Sequence, residues 1–368
     1  MRMIHCADLH LDSKLTANLS GEKRRERQAE LLHSFRRMVR YAVDHQVEAI
    51  LIAGDLFDTN VVSATAANTV WQAVIQHPEI CFYYLKGNHD TEGFWKEREE
   101  IPDNLKLFTD SWSYYFQPCR RGQIVIAGAE MNGMNRDMLC DSLFLHPDAF
   151  NIVMLHGQES EYKGKDKTET IPLRQLRGRH IDYLALGHIH QFKQDRLDAR
   201  GMWCYPGCLE GRGFDECGEH GFVLLEIDEE TGICNSEFVP FAERNLYSRS
   251  VAISGCTCTE EIEQRVRWDL EQAHYSHKSM IKVILTGQIA TDTEKNLTLL
   301  TKSLSQNYYF VKIYDETRFC IDYEAYAMDV SLQGEFIRTV FAAEEIPEEE
   351  KAVIIRYGIQ ALAGEELD

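Results

Sequence analysis

Short unbroken apolar runs alternate with longer stretches of helical period along the first quarter of the chain. Residues 3–7 are an apolar run that leads into Asp8-Leu9-His10. Residues 22–45 repeat Leu31, Phe35, Met38, Val39 and Ala42 at three- and four-residue steps, one face of a helix. Residues 47–53 are continuously apolar, as a strand buried on both faces must be, and stop at Gly54-Asp55. A second helical stretch, 63–77, and an apolar strand, 80–85, then lead into Gly87-Asn88-His89-Asp90. Repeated strand, loop and helix predict an α/β sheet.

Beyond this the pattern is richer in strands. Apolar runs at 124–129, 152–155, 183–186 and 221–227 are joined by short connections, and two of them end in His156-Gly157 and Gly187-His188-Ile189-His190. Near residue 245 the texture changes. A strand at 249–254, a helix at 259–274 with Ile262, Val266, Leu270 and Ala273 on one side, a strand at 280–285, a helix at 293–304 and a strand at 308–314 form a βαβαβ segment. Helical period returns at 336–341 and 348–362. The expected division is a main domain over 1–245, an accessory domain over 246–330 and an acidic helical tail over 331–368.

Composition changes this picture little. At 368 residues, 44% hydrophobic and 27% charged, the chain is an ordinary globular protein with room for one large domain and a smaller one. No apolar run approaches the roughly 18 residues that span a bilayer, and the N-terminus enters a strand pattern with no apolar leader; a cytoplasmic, membrane-free protein is expected. The eleven cysteines are scattered, so reduced thiols are expected rather than disulfides. Cys256-x-Cys258 is too closely spaced for a zinc knuckle, and Cys204, Cys208 and Cys217 form no pair of CxxC units. The formal charge of −20 argues against non-specific nucleic-acid binding, but the acid is segregated at Glu344, Glu345, Glu348, Glu349 and Glu350 and at Glu365, Glu366 and Asp368. Basic residues gather at Arg36, Arg37 and Arg40, at Lys163, Lys165 and Lys167, and at Arg174, Arg177 and Arg179, each also readable as solvated surface.

The chemistry lies in five motifs that arrive in order, each after an apolar strand: DLH, GDLFD, GNHD, HG and GHIH. Singly they are weak, since Asp beside Gly is turn chemistry and a histidine ending a strand is commonly structural. Together, at the strand ends where open α/β sheets place their ligands, they mark a site. Carboxylates, neutral imidazoles and an amide oxygen make a mixed N/O donor set, which suits Mn²⁺ better than Mg²⁺ or Ca²⁺ alone. Two such ions about 3.5–4 Å apart can clamp the attacking and leaving oxygens of an in-line phosphoryl displacement. Mg²⁺, Fe²⁺ and Zn²⁺ stay open as alternatives.

These motifs resemble those of the calcineurin-like metallophosphoesterase superfamily. HCADLHLDS, AGDLFD, LKGNHD, DYLALGHIH, YPGCLEGRGFDE and the ending RYGIQALAGEELD are similar to the SbcD/YhaO type of DNA repair exonuclease, over nearly the whole chain and most strongly over 1–225. The resemblance implies an α/β fold, a two-sheet αββα sandwich with an α+β accessory domain that caps the site and a short helical tail. It implies that Asp8, His10 and His190 hold one metal ion, that Asn88, His156 and His188 hold a second, and that Asp55 is shared by both. The nucleophile would be a water or hydroxide bridging the ions, with His89 as proton donor to the leaving group and Asp58 orienting it. Asp58 also reads as a capping aspartate before Thr59. Asp12 and Asp90 read as loop carboxylates supporting the ligands, Cys6 as a packed thiol, and Cys208 is assigned no chemistry. Arg212 and His220 read either as phosphate contacts or as surface residues.

The resemblance further implies DNA as substrate, a coiled-coil ATPase of the SbcC type as partner, which the short acidic tail puts in doubt, and a homodimer through helices beside the site. The alternative is a phosphodiesterase or phosphatase for nucleotides or other small phosphoesters, since the five motifs alone specify only phosphoester chemistry. A scaffold without catalysis is disfavoured because no ligand position is missing.

Overall fold

A computed structural model of the chain describes residues 1–15, 19–58, 62–90, 95, 98, 100–120, 122–159, 170–290, 293–320, 326 and 328–363. Lys163, Lys165 and Lys167, Thr59, and the terminal Glu365, Glu366 and Asp368 lie outside the described residues. The chain divides into two compact units, Met1–Asn245 and Leu246–Asp368.

The first unit runs β1 (Arg2–Cys6), α1 (Gly21–Asp44), β2 (Ala49–Ala53), α2 (Ala64–Gln76), β3 (Cys81–Leu85), β4 (Leu105–Leu107), β5 (Ser113–Cys119), β6 (Gly122–Gly128), α3 (Arg136–Ser142), β7 (Phe150–His156), β8 (Gln158–Glu159), β9 (Thr170–Ile171), α4 (Leu173–Leu176), β10 (Tyr183–Gly187), β11 (Lys193–Arg196), β12 (Met202–Tyr205), β13 (Gly221–Ile227) and β14 (Cys234–Pro240). One six-stranded sheet has the order β14-β13-β1-β2-β3-β4 and the other β11-β12-β10-β7-β6-β5. The three strands that carry ligand motifs in the first sheet, β1, β2 and β3, are parallel, as are β7 and β10 in the second. Every motif therefore leaves the same end of its sheet.

Three apolar layers follow from strict alternation along the strands. Ile4 and Cys6 face α1 and α2 together with Phe35, Met38, Val39 and Val70. Met3, Leu51, Ile126, Ile152, Met154 and Ala185 fill the space between the sheets. Val125, Val153, Leu184 and Leu186 face α4 and its neighbours. This is the expected αββα sandwich. Shifting any central strand by one residue would exchange its two apolar faces, so the register, and with it the position of each motif, is fixed by packing.

The helix boundaries follow from capping. Ser20 accepts from the backbone N–H of Lys23 to begin α1, and Ser63 does the same for Ala66 in α2. The edge strands β5, β11 and β14 have no apolar run in the sequence, because edge positions are half solvated and β5 carries Pro118 where no ladder hydrogen bond is lost.

In the second unit β15 (Leu246–Ala252), β16 (Met280–Thr286) and β18 (Phe310–Asp315) form a parallel three-stranded sheet, with β17 (Gln288–Ala290) and β19 (Arg318–Cys320) as a separate pair. The helices α5 (Thr259–Gln272) and α6 (Leu297–Leu304) cover one face through Ile262, Val266, Leu270, Leu300 and Leu304. The helix expected from 293 begins only at Leu297, where the Asn296 side chain accepts from the Leu299 N–H. Two further helices, Leu332–Ala342 and Glu348–Ala363, pack through Ile337, Val340 and Ile355. Among the described residues no helix is long and apolar enough to cross a membrane, and the cysteines whose side chains are described are free thiols.

A buried polar pair bridges the apolar layer between the sheets. His5 of β1 is fully buried and its Nδ1 lies 2.9 Å from the Tyr183 hydroxyl of β10. Burial disfavours the imidazolium and pushes its pKa down to about 3. A folded-state pKa below that of the unfolded chain means stability is complete above the unfolded value, near 6.5, and is lost as pH falls below it. Chemical denaturation of the metal-free protein should thus show roughly 2 kcal/mol less stability at about pH 5 than at pH 7 from this group. His5→Gln should flatten that component of the pH dependence, and an unchanged slope would refute it.

Candidate metal centre

The loops after β1, β2, β3, β7 and β10 bring the motif side chains together at one end of the sandwich. Three groups of donors lie within 4.8 Å of one another: Asp8, His10 and His190; Asp8, Asp55 and His156; and His10, Asp58 and His89. Asp8 and Asp55 are almost wholly buried. Two carboxylates in one buried cluster repel each other and have lost their hydration, so backbone donors and cations must compensate. The first are present: the His188 N–H is 2.9 Å from both oxygens of Asp8, and the His89 N–H is 2.9 Å from Asp55 Oδ1.

The backbone is bent to deliver these contacts. Asp8 (φ 52°), His10 (φ 45°), Asp55 (φ 51°) and His188 (φ 106°) all have positive φ, a conformation that side chains other than glycine rarely adopt. Two glycines are required by close approach. A Cβ on Gly54 would lie 2.1 Å from His156 Nδ1, and one on Gly87 would lie 2.1 Å from Asp55 Oδ1.

The imidazoles are oriented from behind. His156 Nδ1 is 2.9 Å from the Ala53 carbonyl, which fixes the proton there and turns Nε2 toward Asn88 Oδ1 at 2.9 Å and Asp55 Oδ2 at 3.4 Å. His190 Nδ1 is 2.6 Å from Glu216 Oε1, leaving Nε2 3.3 Å from His10 Nε2 and 4.0 Å from Asp8 Oδ1. His10 Nδ1 faces Asp58 Oδ1 at 3.2 Å, without the alignment of a hydrogen bond, and its Nε2 is 3.9 Å from Asp55 Oδ2. Imidazoles held at Nδ1 by a carbonyl or carboxylate, with Nε2 converging on buried carboxylates, are the donor arrangement of a divalent-metal site. Asp55 Oδ2 lies between His156 and His10, where a carboxylate shared by two ions belongs. The residues present therefore fit two cations. His188 contributes no nitrogen to the three groups; its ring packs edge-on to His156 at 5.4 Å.

The charges follow the same logic. Burial would raise the Asp55 carboxyl, but the hydrogen bond and charge of His156, with His10, hold it below the usual range. His156, which burial alone would lower, is raised to about 9 by Asp55 and Asp8. Asp58 is drawn down to about 2: burial opposes ionisation, and His10, Ser13 and Arg212 outweigh it.

Supporting residues complete the centre. Asp90 accepts from the N–H groups of Leu56 (3.2 Å), Phe57 (2.8 Å) and Gly87 (3.0 Å), joining the Asp55 loop to the Asn88–His89 loop. Asp12 accepts from the Ser63 N–H at 2.6 Å. Cys6 is packed, with its thiol toward the Leu51 carbonyl. His220 is not a surface residue: it is buried, with Nε2 2.7 Å from the Glu216 carbonyl and Nδ1 3.2 Å from Cys208 Sγ. Glu216 is the residue that motif reasoning does not single out. It stands in GRGFDE, where nothing local distinguishes it from a surface acid, and only the fold carries it to His190.

The calcineurin-like phosphoesterase family model matches residues 1–192. Over 236 residues the chain is 30% identical to the uncharacterized metallophosphoesterase YhaO of Bacillus subtilis (strain 168), covering 62% of this chain and 57% of that protein. The chain thus spans little more than half the length of that curated relative. Among solved structures it is similar to TT1561 of Thermus thermophilus (15% identity, TM-score 0.43, 64% of this chain and 98% of that one). It is also similar to a dimetal phosphatase from Danio rerio (12% identity, TM-score 0.35, 62% and 93%). Likeness at that level transfers neither residue roles nor substrate. The family match covers more than half of the chain, and with the converging carboxylates and imidazoles it makes this protein a member of the calcineurin-like phosphoesterases.

Proposed function

We propose that the protein is a two-metal phosphodiester hydrolase that cuts DNA, a nuclease of the SbcD/YhaO type acting in DNA repair. The observation that carries the hydrolase is the convergence of His10, His156 and His190 through Nε2 on the buried pair Asp8 and Asp55. DNA as substrate is supported by the similarity of YPGCLEGRGFDE and the other quoted segments to that branch, and by the second compact unit, read as its capping domain.

Asp8, His10 and His190 would hold one ion, Asn88, His156 and His188 the other, and Asp55 both. Two bound divalent ions supply charge neutralisation at the phosphoryl oxygens and increase the acidity of solvent. The remaining work belongs to side chains. His89 is half exposed, outside the buried cluster, with Nδ1 3.4 Å from Asp58 Oδ1. From there its ring can give a proton to a departing alkoxide, while ionised Asp58 stabilises the imidazolium and sets the ring's direction.

Hydrolysis of nucleotides or other small phosphoesters is the second reading, favoured by the charge of −20. Of the basic residues of α1, Arg37 does not relieve it, since it is paired with Glu243 and donates to the Phe241 carbonyl. An SbcC-type ATPase partner and a homodimer belong to the same proposal and await a binding measurement.

Linear DNA, hairpin DNA and bis-p-nitrophenyl phosphate, each with Mn²⁺, separate the two readings: cleavage of DNA is expected, and hydrolysis of the small ester alone would eliminate the nuclease. His89→Ala should keep both ions, measured by mass spectrometry, while kcat on DNA falls by about 10²–10⁴. Loss of an ion would show His89 to be a ligand instead. Asp55→Asn should weaken retention of both ions together; loss of only one on dialysis would contradict a shared carboxylate.

A further inference from the structure

Arg212 stands between the two parts of the centre. Its Nη2 is 3.0 Å from Glu216 Oε1, the oxygen that holds His190, and its own backbone N–H donates to Glu216 Oε2 at 2.7 Å. Its Nη1 is 3.4 Å from Asp58 Oδ1, the oxygen that faces His89 at 3.4 Å. An arginine beside a phosphoesterase centre invites reading as a phosphate clamp. Here the planar fork faces two carboxylates of the protein itself, so an incoming phosphate would have to displace one of them.

The chain around Arg212 is also held in place. Arg27 of α1, 1% exposed, donates through Nη2 to the carbonyl of the preceding Gly211 at 2.7 Å. Glu210 accepts from the Ser34 hydroxyl at 2.6 Å and from the Glu243 N–H. Glu216 fixes the other side. Swinging the guanidinium outward would leave two largely buried carboxylates without their shared cation, which is costly in a low-dielectric site.

We propose that Arg212 is a positioning residue: it fixes Asp58 against the GRGFDE loop so that the Asp58–His89 pair is aimed at the leaving group, and it does not bind the phosphate. This rests on the reading of His89 as proton donor given above. A lysine cannot replace it, because one ammonium does not span two carboxylates with the geometry of a guanidinium fork.

The test compares two diesters on the metal-loaded full chain. Bis-p-nitrophenyl phosphate releases a weakly basic phenolate, and diphenyl phosphate a more basic one that depends more on a proton donor. Arg212→Ala and Arg212→Lys should lower kcat on diphenyl phosphate about tenfold more than on bis-p-nitrophenyl phosphate, part of what a general acid contributes. KM should hold and both ions should be retained. In the His89→Ala background, Arg212→Ala should add less than about a twofold loss, since both changes act through one group. Equal losses on the two diesters, a KM effect without a kcat effect, or full additivity with His89→Ala would each overturn the proposal. So would loss of an ion from both Arg212→Lys and Arg212→Gln, because the guanidinium would then be serving His190. If His89→Ala itself leaves the ratio between the two diesters unchanged while the wild type turns both over, the proton-donor reading fails first and takes the role of Arg212 with it.

Discussion

Asp8 and Asp55 are carboxylates removed from water into one cluster, and much of the first unit is arranged around that electrostatic problem. Neither side chain could remain ionised in an apolar interior without partners. Backbone N–H groups of His188 and His89 reach one each, and the Nε2 atoms of three imidazoles converge on the pair. These contacts need the loops of both sheets at one end of the sandwich, so the parallel order of β1 with β2 and of β7 with β10 is what makes the cluster possible.

Strain is concentrated at the same place. Four of the motif residues have positive φ, and Gly54 and Gly87 leave room where any Cβ would collide with His156 or Asp55. Such conformations persist when packing over-determines them. The apolar layers on both sides of each sheet provide that constraint, with β1 and β2 almost completely buried. A site preorganised in this way does not have to collect its donors when a cation arrives.

Around the cluster runs a second ring of charge: Asp90 across two loops, Glu216 behind His190, Arg212 between Glu216 and Asp58, and Arg27 with Glu210 tying the GRGFDE loop to α1. Each member is a polar group that burial would penalise if it stood alone, and each is compensated by another. Within the ring the charge of Arg27 is matched by Glu30 and Glu210, and that of Arg212 by Glu216 and Asp58.

The central strands, the long helices and the residues at their ends were legible in the amino-acid order alone, because unbroken apolar runs and three- to four-residue periods leave one arrangement that buries them. The positions of Asp8, His10, Asp55, Asn88, His89, His156, His188 and His190 at strand ends were readable for the same reason. Edge strands such as β5, β11 and β14 were not, since a half-solvated strand has no apolar signature. Nor were the burial of His220, the partnership of Glu216 with His190, or the reach of Arg212 to Asp58 across 154 positions of the chain. Those depend on side chains that meet when separate loops are brought together. Local pattern records which face of an element is apolar; which charge is left to neutralise which is settled in the assembled fold.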